Sequence, residues 1–85
     1  MYVHLGADTV VRSERIVGIF DTDNTTVNHI TREYLNRMEQ EGRLISITYE
    51  LPKSFVVCVE NGEQKVYLSQ VSAATLKKRI QQNIL

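Results

Sequence analysis

The sequence predicts an α+β domain: a small mixed or antiparallel sheet with a central helix and a C-terminal helix, in the order β-β-β-α-β-β-β-α. Three observations carry this reading. Short runs of alternating or β-branched residues recur, each closed by turn residues, with Ser54–Glu60 the most apolar. Between two such runs, Val27, Ile30, Tyr34, Leu35 and Met38 recur at helical spacing. The chain then closes on Leu76, Ile80 and Ile84, which return at every fourth position.

Tyr2-Val3-His4-Leu5 alternates and ends at Gly6, so Val3 and Leu5 share one face of a first strand. Thr9-Val10-Val11 supplies a second β-prone piece before the polar Ser13-Glu14. Arg15 to Phe20 is rich in β-branched residues and reads as a buried strand despite Gly18. Asp21-Thr22-Asp23-Asn24-Thr25 holds turn and capping residues. A helix follows over about residues 25–41, with Arg32, Arg37, Glu39 and Glu41 off its apolar stripe and Gly42 as a left-handed stop. Leu44 to Tyr49 reads as a strand, and Leu51-Pro52-Lys53 breaks it. Ser54 to Glu60 is apolar on both faces, with Phe55, Val57 and Val59 pointing one way and Val56 and Cys58 the other. Asn61-Gly62 is a hairpin signal, and Lys65 to Ser69 is the return strand. Ser72 caps the last helix. There is no internal repeat or low-complexity stretch, and residues 1–85 read as a single domain.

Size and composition limit the function. A chain of 85 residues buries only about 60–65% of the surface its unfolded form exposes, so its own core is thin. Small scaffolds compensate with a disulfide, a metal or a partner subunit. Cys58 is the single cysteine, and no Cys/His cluster has metal-ligand spacing, so no metal or other cofactor is expected. Self-association is the expected source of extra burial. A strand apolar on both faces points the same way, because two helices cover one face of a small sheet well and the other only in part. The longest apolar run, Phe55 to Val59, is far too short to span a membrane. The N-terminus has no basic segment leading into an apolar one, as a signal peptide would. A lone thiol without an export signal leads us to expect a cytoplasmic protein.

Ten basic residues balance ten acidic ones, which argues against a general electrostatic grip on nucleic acid. The distribution is uneven, however. Residues 1–49 carry five arginines against seven acids, whereas residues 50–85 carry Lys53, Lys65, Lys77, Lys78 and Arg79 against three.

No constellation points to catalysis, and no enzyme activity is expected. Ile19-Phe20-Asp21-Thr22-Asp23-Asn24-Thr25 resembles the first motif of the haloacid-dehalogenase phosphotransferases, in which two aspartates two residues apart serve as nucleophile and acid/base. The later lysine and acidic pair of that family do not follow, and the chain is too short for its doubly wound fold. Strand termination and helix capping explain the same residues. A calcium loop starting at Asp21 would need Gly at Thr26 and Glu at Arg32, and both are missing. His4 and His29 have no triad partners, and Cys58 lies in an apolar strand, where a thiol is packing.

Two basic features remain. Lys77-Lys78-Arg79 lies on the last helix, where Lys77 and Lys78 point away from the stripe. They are either a solvated face or phosphate contacts. Lys53 follows Pro52 in a rigid turn, and Arg12 and Arg15 flank another. Either arginine suits phosphate or a neighbouring subunit.

The strings Met1-Tyr2-Val3-His4-Leu5-Gly6, Ile16-Val17-Gly18-Ile19-Phe20-Asp21, Pro52-Lys53-Ser54, Val56-Val57, Tyr67-Leu68-Ser69 and Thr75-Leu76-Lys77-Lys78-Arg79 carry a resemblance. From residue 1 to about 80 the chain resembles the bacterial extracellular-matrix regulators of the RemA/RemB family, nearer its RemB branch. The resemblance implies an α+β subunit that assembles into a closed ring. It also implies binding of double-stranded DNA, as in the RemA branch, where matrix and osmoprotection genes are activated. Arg15 matches an arginine of that branch implicated in assembly and DNA binding. A second basic element there, an arginine pair after a Thr-Tyr strand end, falls here on Leu51 and Pro52 and leaves Lys53 as the nearby cation. Two functions are therefore carried forward. One is a DNA-binding regulator presenting Lys53, Arg15, Arg12, Lys77 and Lys78 to phosphates. The other is a ring-forming scaffold that binds another protein, such as a paralogous subunit, without touching DNA.

Overall fold

The computed structural model describes residues 1–22 and 29–83. Strand β1 (Tyr2–Gly6) and β2 (Thr9–Arg12) form an antiparallel hairpin, and a 3-10 turn (Ser13–Arg15) leads into β3 (Ile16–Asp21). Helix α1 (His29–Gln40), β4 (Leu44–Ser46), β5 (Ser54–Glu60), β6 (Glu63–Ser69) and α2 (Ala73–Asn83) follow. The order is the expected one, and the main sheet is mixed: β3-β5-β6-β4, with β4 parallel to β6 and the other pairs antiparallel.

Three layers result. The β1–β2 hairpin and α2 cover one face of the four-stranded sheet, where Val3, Leu5, Val11, Ile19, Val56, Cys58 and Leu76 form the main core. On the other face lies α1, which packs Met38 against Phe55 and Val66, with Tyr34 and Leu35 alongside. The alternation read in Ser54–Glu60 is thus real, and each side of β5 meets a different layer.

Local chemistry sets the element ends. Gly42, at φ +73°, takes the left-handed position after α1, and Arg43 N–H donates to the Met38 carbonyl as in a Schellman turn. Ser72 Oγ accepts from Thr75 N–H at 3.2 Å and so caps α2. Gly18 lies beneath the Phe20 ring, which would stand 2.7 Å from any Cβ placed there. That close approach is why β3 carries a glycine.

Three boundaries differ from the expectation. The β-prone stretch from Arg15 begins as strand only at Ile16, because Ser13–Arg15 closes a 3-10 turn. Strand β4 stops at Ser46 instead of continuing to Tyr49. There Ser46 Oγ donates to the Thr48 carbonyl and Thr48 Oγ1 accepts from Glu50 N–H, which turns the chain away from the ladder. Strand β6 starts two residues earlier than expected, since the hairpin pairs Glu60 with Glu63. The beginning of the expected helix (residues 25–28), the capping role assigned to residues 23–25, and Ile84 lie outside the described residues.

Candidate nucleic-acid interface

Lys53 stands on a corner fixed from several sides. Its N–H donates to the Ser69 carbonyl at 2.8 Å, and its carbonyl accepts from Thr22 N–H at 3.1 Å. Thr22, itself buried, also donates its hydroxyl to the Pro52 carbonyl at 2.8 Å. Just beneath, the fully buried Ser54 hydroxyl donates to the Val71 carbonyl at 2.7 Å. Ser69 Oγ donates to the Leu5 carbonyl and accepts from Val71 N–H. These bonds tie β5, β6, β1 and the start of α2 at one point, and the Lys53 side chain leaves it into solvent. Leu51 and Tyr49 project from the same corner, 89% and fully exposed.

The expected phosphate contacts do not converge on one surface of the subunit. Arg15 immediately precedes Ile16, which pairs with Cys58, whereas Lys53 immediately precedes Ser54, which pairs with Asp21. They therefore flank opposite ends of the β3–β5 ladder, roughly 20 Å apart at about 3.3 Å per residue. Lys77 and Lys78 do share one exposed face, that of α2. Arg12 lies on the hairpin, 3.5 Å from Glu14 and over the Tyr2 ring at 6.0 Å. Hydrogen bonds from Ser13 and the N-terminal amine hold the Glu14 carboxyl below its usual pKa, so it stays an anion beside Arg12.

The cations divide by pairing. Arg12, Arg37, Arg43 and Lys65 each lie within 4.0 Å of a carboxylate. Lys53, Arg15, Lys77 and Lys78 form no ion pair among the described residues. The third member of the basic run behaves differently: Arg79 Nη1 donates to the His4 carbonyl at 2.6 Å and pins α2 to β1.

Sequence reasoning passed over Thr22, Ser54 and Ser69, the residues that make the corner rigid. Their one signal was position, since small hydroxyl residues at strand ends reach backbone groups of neighbouring segments. The readings against catalysis stand beside ordinary packing. Cys58 is fully buried, and burial pushes its thiol up to about 11. His4 Nε2 donates to the Ala7 carbonyl and supports the turn in which Ala7 takes φ +47°. No group of three potential metal ligands occurs among the described residues, and no helix is long and apolar enough to cross a membrane.

On the α1 side the sheet is incompletely covered. An open trough of about 480 Å³ runs between β3, β5 and α1, lined by Val17, Phe20, Ile30, Tyr34, Val57 and Val59 among others. Phe20 stacks on Phe55 at its floor, with ring centroids 5.1 Å apart.

Two comparisons bear on the whole chain. Residues 2–80 match the family described as RemA-like, extracellular matrix regulatory protein A-like. Extracellular matrix regulatory protein B of Bacillus subtilis (strain 168) is 42% identical over 81 residues, covering 95% of this chain and 91% of that protein.

Proposed function

This chain belongs to the RemA-like family of extracellular matrix regulatory proteins, and from that premise we propose that it is a DNA-binding transcriptional regulator of matrix genes, working as a ring-shaped homo-oligomer. The observation that carries the reading is Lys53: an exposed, unpaired cation on a corner whose backbone is bonded on both sides. A preorganised lysine loses little on meeting a phosphate. One lysine per subunit is weak, but a ring repeats it, together with Arg15, Lys77 and Lys78, at fixed spacing. Recognition then rests on backbone contacts and duplex shape, since few side chains here reach base edges. The protein would act in the cytoplasm, where DNA is available.

A second reading, the scaffold that binds another protein or a paralogous subunit, is favoured by one observation. Leu51 and Tyr49 put apolar surface on the same corner as Lys53.

Fluorescence-anisotropy titration of A·T-rich duplex DNA at low and moderate salt tests the first reading. Affinity should fall steeply with salt, with a slope of about −0.9 per phosphate contacted. Lys53→Ala should weaken binding about tenfold or more while leaving the oligomer mass unchanged. No binding at low salt would overturn the regulator in favour of the scaffold, and loss of assembly in Lys53→Ala would overturn the role given to Lys53.

A further inference from the structure

Besides the trough, the molecule has a second exposed apolar patch, and it lies on the opposite side. Residues of the hairpin alternate inward and outward. Val3, Leu5 and Val11 enter the core, and Tyr2, His4, Val10 and Arg12 face out. Tyr2 is 65% exposed and Val10 50%. The hairpin covers the Val56/Cys58 face of the sheet, whereas the trough opens on the Phe55/Val57 face. The two patches therefore look in opposite directions across the three layers.

Charge around each patch is already neutralised within the chain. Beside the trough, His29 lies 2.9 Å from Glu33, Arg37 4.0 Å from Glu41 and Lys65 3.5 Å from Glu60. Beside the hairpin, Glu14 takes both Arg12 and the N-terminal amine. Neither patch offers the unpaired cations that nucleic acid or an anionic membrane would need. Each instead fits a neutral apolar surface with a polar rim, which is the anatomy of a protein interface. The trough also borders an open sheet edge: β3 pairs with β5 on one side only and carries Val17, 68% exposed. An edge strand of this kind is normally covered.

We propose that the trough receives the outer face of the β1–β2 hairpin of a second copy of this chain, Val10 and Tyr2 of one subunit packing over Val17, Phe20 and Val59 of the next. The inference rests on the assembly part of the proposed function and adds which two surfaces meet. Because they are different surfaces on opposite sides, the contact is heterologous. Each copy offers one hairpin and one trough, so contacts continue until the ring closes. A standard interface needs about 800 Å² per partner, roughly one-seventh of the 5767 Å² surface of the isolated chain.

Substitution followed by mixing tests this directly. Val17→Asp spoils the trough and Val10→Asp spoils the hairpin face; both side chains are at least half exposed, and circular dichroism confirms that each variant folds. By sedimentation velocity each variant should require at least about thirtyfold more protein to assemble than the unsubstituted chain. Mixed together, they retain one good trough and one good hairpin between them. The mixture should then give a heterodimer of twice the 9.8 kDa chain mass that grows no further. Leu51→Asp, at the corner outside both patches, should leave the mass unchanged.

Three results would overturn the proposal, and they differ in meaning. An unsubstituted chain that stays monomeric removes the ring along with this contact. A ring indifferent to both substitutions removes only this contact and leaves the assembly reading in place. Loss of assembly in Leu51→Asp alone moves the interface to the corner.

Discussion

The two faces of β5 start from similar side chains and end in different surroundings. On one face Val56 and Cys58 have no solvent exposure, sealed by the hairpin and by Leu76 of α2. On the other, Phe55 is buried beneath α1, yet Val57 is half-buried and Val59 is 38% exposed toward an open trough. The difference follows from how much chain is available to cover each side. Two strands and a helix lie over the first face and one helix over the second. Valine occupies both, so residue type on its own does not tell which face is finished within the subunit. The sealed face carries the stability of the fold. The open face, we argue, is held ready for a neighbour.

The largest effect that would test this division is Leu76→Ala. Leu76 is fully buried at the centre of the sealed core, and α2 depends on it for packing against β1 and β3. Truncation should cost about 2–5 kcal/mol, because a cavity is left where the layers cannot collapse. Urea denaturation reads it as a lower midpoint with an unchanged slope. For a chain this small such a loss is a large share of the total. A cost near zero would mean that the hairpin and α2 are not the layer that stabilises the sheet.

A second, smaller effect comes from Cys58 on the same face. Burial raises its thiol from 9.0 to about 11 in the folded chain. In the unfolded chain it ionises first, so over that interval the unfolded state binds fewer protons and stability falls as pH rises. The contribution is complete below pH 9.0 and is lost as pH climbs through about 11. Tyr67 is also raised by burial, so the comparison should be between the unsubstituted chain and Cys58→Ala, whose melting temperature should decline less over this interval. Equal declines would place the thiol in contact with solvent and weaken the picture of a sealed face.

How much of this could be read in the sequence depends on the range of the interaction. The two-sided pattern of Ser54–Glu60, the Asn61-Gly62 turn and the Ser72 cap are local signals, and each corresponds to the element found. The shortened β4 was not legible, because Thr48 leaves the ladder to bond Gln70, 22 residues away. Nor was the corner at Lys53, whose rigidity depends on Thr22, Ser69 and Val71 arriving from three other segments. The separation of Arg15 from Lys53 is likewise a matter of register: both were identified as cations in turns, but antiparallel pairing puts them at opposite ends of one ladder. The trough was foreseen only as a shortage of covering chain.

The smallest effect is the most discriminating for the open face. Val59→Thr replaces a methyl by a hydroxyl of similar size at a site that water already reaches in the isolated subunit. In dilute, monomeric protein it should change stability by no more than about 0.5 kcal/mol, as surface substitutions do. In concentrated, assembled protein the same hydroxyl lies under a neighbour and is desolvated without a partner, which costs about 1–3 kcal/mol. The melting temperature of the unsubstituted chain should therefore rise with concentration, since association stabilises the folded state by mass action, and the gap to Val59→Thr should widen as it does. A gap that stays constant across concentrations would mean that Val59 faces water in the assembly as well as in the monomer. The two faces of β5 would then differ only in how well one subunit covers them.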